Sequence, residues 1–214
     1  MTKTPIAILI SGRGTNMQAL IDAAAEPDFP AEIVLVGSNN PDAGGIERAN
    51  IADIPTVIVD HRGYETREAF EETLDNLIRA SGAKYVFLAG FMRILTPFFV
   101  DKWRDRLVNI HPSLLPSFKG VHTHERAIDA GVKLHGCTVH YVRPEMDDGP
   151  IIGQAVVPVL QGDTPDSLAE RVLAAEHQLY PACSRLVCEG KARVSGDKVR
   201  LNADATGMLL NPGP

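Results

Sequence analysis

Ile6-Ala7-Ile8-Leu9-Ile10-Ser11-Gly12-Arg13-Gly14-Thr15-Asn16, running on into Met17–Ala25, is the stretch from which the fold is read. Its first five residues are apolar without a break, the mark of a strand covered on both faces. Beyond the glycines, Met17, Leu20 and Ile21 recur at helical spacing. Strand, glycine loop and helix in that order aim backbone N–H groups and a helix amino terminus at an anion. The glycines let a ligand approach the backbone, and Ser11, Thr15 and Asn16 add side-chain donors. The third glycine of a dinucleotide fingerprint is missing, as is the Lys-Ser/Thr pair of a P-loop. The other reading is a tight βα turn with Thr15 or Asn16 capping the helix.

The same alternation continues outward. Glu32–Gly37, Thr56–Val59, Lys84–Ala89 and Arg106–His111 read as further strands. Helices are expected over Gly45–Ile51 and Glu65–Arg79, and from Thr96-Pro97. This predicts an α/β fold, a Rossmann-like and mostly parallel sheet with helices on both faces. The second strand runs into Ser38-Asn39-Asn40-Pro41, with no carboxylate placed for a ribose diol, which argues against NAD. In the third helix Phe70, Leu74, Leu77 and Ile78 form the inner face, and Arg67 reads as a solvated surface residue.

Strand five carries the chemistry. Along Leu107-Val108-Asn109-Ile110-His111 side chains alternate, so Asn109 and His111 share a face while Ile110 enters the core. Pro112 holds His111 extended and ends the strand in a rigid turn through Ser113–Pro116. An amide donor and a titratable imidazole thus stand at the carboxyl end of a strand, where open α/β sheets bind ligands. A strand end whose Asn and His only satisfy loop backbone is the bland alternative.

From Leu134 the texture changes. Leu134–Val142 and Pro150–Val159 read as a hairpin joined by a long acidic loop, Arg143-Pro144-Glu145-Met146-Asp147-Asp148-Gly149. A helix from Thr164-Pro165 through Cys188 buries Leu168, Val172, Leu173, Leu179, Leu186 and Val187, with Glu176 and His177 on a solvated face. A short hairpin about Gly196-Asp197 and a frayed tail after Asn202 follow. Val121–Arg126 is expected to open a helix reaching Ala130, and His122 and His124, two apart at its start, make a poor metal pair, so no metal is expected.

With 44% hydrophobic and 22% charged residues, the chain of 214 reads as a soluble globular protein. Its net charge of -6 argues against a nucleic-acid partner. No apolar run approaches a bilayer's span and no signal peptide is expected, so a cytoplasmic location is anticipated. Cys137, Cys183 and Cys188 have no metal-like spacing and read as core filling in a reducing compartment.

Ser11–Asn16, Ala89-Gly90-Phe91-Met92-Arg93-Ile94-Leu95, Asn109–Pro116, His122-Thr123-His124 and Met146–Gln154, in that order, resemble the phosphoribosylglycinamide formyltransferase family of folate-dependent formyltransferases. The resemblance runs from the first strand to about Gly190. It implies one formyltransferase domain over 1–190, with a nucleotide-binding half (1–100) and a folate and catalytic half (101–190), before a terminal hairpin and tail (191–214). It also implies formyl transfer from 10-formyltetrahydrofolate, as co-substrate, to 5-phosphoribosylglycinamide in purine biosynthesis. Asn109, His111 and Asp147 would be catalytic. Gly14, Thr15, Asn16 and Glu176 would bind the nucleotide. Arg67, Met92, Arg93, Ile94, Leu95, Asn109 and Arg143, Pro144, Glu145, Met146 and Asp147 would line the folate site, much of it through backbone. Small molecules would be the partners of a monomer or homodimer.

Two positions depart from the family pattern. Arg13 replaces a small polar residue found in some relatives, and Asp148 stands where glycine is frequent. The role of Arg13 at a phosphate, and competition of Asp148 with Asp147 for His111, stay open. The rival readings are a formyltetrahydrofolate hydrolase, a methionyl-tRNA formyltransferase and a nucleotide-binding regulatory module. The first expects an extra amino-terminal domain and the second a basic carboxyl-terminal one. The third gives no reason for the Asn109, His111 and Asp147 trio.

Overall fold

The computed structural model describes residues 2–202. The leading apolar run is β1 (Thr4–Ile10), whose last five residues are buried, and it passes through the glycine loop into α1 (Thr15–Ala25). Next come β2 (Ala31–Ser38), α2 (Gly45–Ile51), β3 (Thr56–Ile58), a 3₁₀ turn at His61–Gly63, and α3 (Arg67–Ala80). β4 (Tyr85–Leu88), α4 (Pro97–Lys102), β5 (Leu107–His111) and α5 (Thr123–Asp129) lead to β6 (Leu134–Tyr141) and β7 (Ile151–Pro158). α6 (Pro165–Cys188) is followed by a small hairpin, β8 (Ala192–Ser195) and β9 (Lys198–Leu201).

The main sheet has seven strands in the order β3-β2-β1-β4-β5-β6-β7. The pairs from β3 to β5 are parallel and β6–β7 is antiparallel, as the alternation and the hairpin predict. Because β1, β2 and β4 are parallel neighbours, the loops that leave their carboxyl ends emerge along one edge. Those loops carry Ser11–Gly14, Asn39-Asn40 and Gly90–Leu95.

The described residues fall into two compact units, 2–109 with Tyr141–Pro144, and Ile110–His140 with 145–202. The first unit is built on a core in which Leu9, Phe70, Leu74, Ile78, Phe99 and Trp103 are almost wholly shielded from water. Two acidic residues of α3 that the apolar pattern passed over are buried with it. Asp75 accepts from Trp103 Nε1 (2.9 Å), Arg79 Nε (2.8 Å) and Lys102 Nζ (2.9 Å). Burial raises its pKa, but those three donors together outweigh it and hold the carboxyl below its usual range. Glu71 accepts from the Thr96 N–H (2.8 Å) and hydroxyl, which fixes the start of α4.

In the second unit α6 packs along β7, and β6 and β7 approach closely at Gly136, where a Cβ would lie 1.9 Å from the Ala155 carbonyl oxygen. Cys137 and Cys183 are buried free thiols, and burial pushes Cys183 up to about 12.

Several local expectations need correction. Gly14, at φ 69, is the N-cap of α1 and no side chain caps that helix, so Thr15 and Asn16 lie inside its first turn. α3 begins at Arg67 because Thr66 Oγ1 takes the Ala69 N–H as the cap. α5 begins at Thr123 because His122 adopts φ 56. Glu176 is not on a solvated face; it is 6% exposed, while Leu173 and Leu186 are only partly buried. The tail beyond Asn202 lies outside the described residues.

Candidate active site

Pro112 ends β5, and the Ser113 N–H turns back to the His111 carbonyl (2.8 Å). The turn that follows is pinned by side chains from the hairpin. Leu115 N–H donates to Thr138 Oγ1 (3.0 Å), Thr138 Oγ1 donates to the Ser113 carbonyl (2.7 Å), and Gln154 Nε2 donates to the Leu115 carbonyl (2.9 Å). Ser113 Oγ also donates to the Ser117 carbonyl (2.7 Å). A buried turn needs such partners, because its backbone groups are cut off from water. The result is a rigid seat for His111.

His111 is itself buried, 6% exposed. Its Nε2 lies 3.1 Å from the Phe118 carbonyl, which can only accept, so that nitrogen carries a proton. Nδ1 lies 3.5 Å from Asp147 Oδ2, at ion-pair distance. Asp147 is held from a second side by the Gly120 N–H (2.8 Å to Oδ2), and its Oδ1 is 4.0 Å from His140 Nε2. Its backbone has φ 52, a conformation that Asp tolerates better than most residues. Asp148, by contrast, pairs with Lys119 and is exposed. Asp147 also lines a cleft of about 480 Å³ whose other wall is the tip of the terminal hairpin, at Asp197–Val199.

Two further imidazoles lie near. His124 and His135 meet edge to face at 5.3 Å, and Phe118 packs its ring against His135 at 5.7 Å. Burial, helped by the charge of His124, pushes His135 down to about 4; burial followed by the charge of His111 also lowers His124. Both are neutral at pH 7, so neither competes for Asp147.

Asn109 stands two residues before His111 in β5, half-buried. Glu176 on α6 is buried, and its negative charge, after burial itself, raises the pKa of Cys137 and adds to the rise at Tyr180. Gly14 caps α1, and Thr15 and Asn16 form its first turn. Arg13 is exposed, and its backbone carbonyl accepts from Arg48 Nε at 3.1 Å. Met92 and Ile94 are 73% and 64% exposed, Arg93 is half-buried, and Leu95 turns into the core. Leu95 therefore offers a ligand its backbone alone. Arg67 is exposed, and Arg143 is bound to Asp105 at 2.5 Å. Pro144, Glu145 and Met146 lead into Asp147, with Met146 55% exposed. Among the described residues no group of three or more His, Cys, Asp and Glu could hold a metal ion.

A buried imidazole in contact with a carboxylate suits acid–base chemistry at a carbonyl carbon. A family model described as formyl transferase matches residues 4–183. The chain belongs to that family. It is 43% identical over 189 residues to phosphoribosylglycinamide formyltransferase of Escherichia coli (strain K12), covering 88% of this chain and 89% of that one. It is 48% identical over 192 residues to the trifunctional purine biosynthetic protein adenosine-3 of Bos taurus. That match takes in 90% of this chain but spans only 19% of the bovine protein. Among solved structures, glycinamide ribonucleotide transformylase 1 from Symbiobacterium toebii superposes with a TM-score of 0.91 at 43% identity, covering 93% of this chain and 94% of that one.

Three groups that meet His111 and Asp147 were missed in the sequence reading: His140, the Phe118 carbonyl and the Gly120 N–H. His140 shares its face of β6 with Thr138, and that alternation was readable. The backbone groups left no sequence signal beyond a glycine, since Phe118 at φ 54 and Gly120 at φ 81 reach His111 and Asp147 only through loop conformation.

Proposed function

We propose that the chain transfers the formyl group of 10-formyltetrahydrofolate to the amine of 5-phosphoribosylglycinamide, giving formylglycinamide ribonucleotide and tetrahydrofolate. The observation that carries this reading is the buried contact of His111 with Asp147 at 3.5 Å, at the end of the strand that bears Asn109. The amine nitrogen bonds to the formyl carbon, and the carbonyl oxygen becomes an oxyanion. Asn109 donates to that oxyanion, and His111 supplies a second donor when its Nε2–H turns from the Phe118 carbonyl to the oxyanion. Asp147 accepts the proton shed by the ammonium nitrogen, through a water molecule. The oxyanion then re-forms the carbonyl, the bond from the formyl carbon to folate N10 breaks, and N10 takes the proton that Asp147 returns through the water as tetrahydrofolate leaves.

The binding roles follow the chemistry of each group. Backbone N–H groups of Gly14–Asn16, at the amino end of α1, suit the nucleotide phosphate, and Glu176 suits the ribose hydroxyls. Arg67, Met92, Arg93, Ile94, Leu95 and Arg143–Asp147 take the folate. Met92 and Ile94 supply exposed apolar surface for its rings, and Leu95 supplies backbone. The reaction belongs in a reducing cytoplasm, in keeping with three free thiols.

The decisive assay follows loss of 10-formyltetrahydrofolate with and without phosphoribosylglycinamide. Loss that depends on the nucleotide, with formylated nucleotide accumulating in equal amount, is expected. Loss at the same rate without it would make water the acceptor and overturn the assignment.

A further inference from the structure

The Ser11 hydroxyl, expected from the sequence to serve an anion, is turned away from the glycine loop, and the polar groups of Ser11 reach two other loops at once. Its N–H donates to the Gly90 carbonyl (3.1 Å), and its carbonyl accepts from Asn40 Nδ2 (3.2 Å). Its hydroxyl donates to Asn39 Oδ1 (2.5 Å) and accepts from the Met92 N–H (2.8 Å). Asn39 is 5% exposed and is held in turn by His61, whose Nδ1 lies 3.1 Å from Asn39 Nδ2. The hydroxyl is thus oriented from a buried anchor and aimed at a backbone N–H in the Gly90–Leu95 segment. That segment has no helical or strand bonds of its own and carries Met92 and Ile94 outward. Three residues after Ser11 comes Gly14, the cap of α1.

We infer that Ser11 is a positioning residue that couples the two substrates, fixing the Gly90–Leu95 loop to the loop that ends at Gly14. An anion seated on the Gly14–Asn16 N–H groups holds the glycine loop in one conformation, and Ser11 passes that constraint to Met92. Nucleotide binding thereby prepays part of the ordering cost of the folate loop, which gives positive cooperativity without a large movement. The inference rests on the assignment of phosphate to Gly14–Asn16 and of folate to Met92–Leu95.

The test is equilibrium binding of tetrahydrofolate to the full chain, with and without phosphoribosylglycinamide, a pair that cannot react. In the wild-type protein the nucleotide should tighten tetrahydrofolate binding about fivefold or more. In Ser11→Ala that ratio should collapse to about one, with the KM for 10-formyltetrahydrofolate raised and nucleotide affinity measured alone nearly unchanged. Ser11→Thr, which keeps the hydroxyl, should restore the ratio. Should Ser11→Ala fail to fold, Ser11→Cys fills the same space with a weak acceptor and should lose the ratio likewise. A wild-type ratio of one, or a ratio untouched in the variant, overturns the coupling. Wild-type protein that makes no formylated nucleotide overturns the functional assignment instead, so the two failures are distinct.

Discussion

Replacing Asp147 by Asn separates its charge from its shape. Asn is close to isosteric, tolerates the φ of 52 at this position, and can keep one oxygen to accept the Gly120 N–H now 2.8 Å from Oδ2. What it cannot keep is the negative charge 3.5 Å from His111 Nδ1, or the capacity to take a proton. The stability cost is therefore modest. Weakening a mostly shielded carboxylate–imidazole contact while keeping the hydrogen bond from Gly120 should cost about 1 kcal/mol, a fall in Tm of roughly 2–4 °C for a chain of this size. Turnover should fall far more, since removal of a positioned base slows proton transfer by about 10²–10⁴, or ~3–5 kcal/mol in the barrier. Steady-state formyl transfer at saturating substrates, beside a thermal melt and nucleotide binding by calorimetry, reads all three quantities. The reasoning fails if kcat stays within about threefold of wild type. It also fails if Asp148→Asn, which breaks only the exposed pair with Lys119, is the more damaging change.

His111→Asn should stay folded and bind both substrates while kcat drops by about two orders of magnitude or more; a folded, fully active variant would reduce His111 to a strand terminator. The dephosphorylated glycinamide riboside should be poorer by roughly 10–100-fold in kcat/KM, the worth of charge-assisted hydrogen bonds to a phosphate. If Arg13 reaches the phosphate, Arg13→Ala should lower kcat/KM for the phosphorylated substrate alone; an equal loss for both substrates would place Arg13 elsewhere. His135 gives a pH signature in stability. Its unfolded value of 6.5 drops to about 4 on folding, so the neutral form is the one that folding favours. Its contribution is complete above about pH 6.5 and is lost as the pH falls towards 4, on the order of 3 kcal/mol in all. Denaturant titrations at pH 7.5 and 4.5 should show that difference shrink in His135→Gln, and an unchanged difference would exclude His135 as its source.

Periodicity and turn chemistry determined much of this protein. The unbroken run Ile6–Ile10, the glycines after it and the helical spacing of Met17, Leu20 and Ile21 fix a βα unit locally, because burial on both faces and a permissive turn are properties of the residues themselves. Pro112 likewise ends β5 wherever that strand is placed, and alternation alone puts Asn109 and His111 on one face. The ordered series of motifs carried the candidate trio and the family with it.

Tertiary structure decided the rest. Which of two adjacent carboxylates serves His111 depends on how the 143–149 loop folds back. Gly120 and His111 capture Asp147 while Lys119 takes Asp148, and no local rule separates them. Glu176 looks like any helix-face acid until the rest of its unit encloses it at 6% exposure. Asp75 is legible as a buried charge only when Trp103, Lys102 and Arg79 converge on it from α4 and its own helix. The tie from Ser11 to Met92 spans 81 positions of sequence. A hydrogen bond of that kind depends on parallel strands bringing their carboxyl ends to one edge, a property of the assembled sheet and of no single segment.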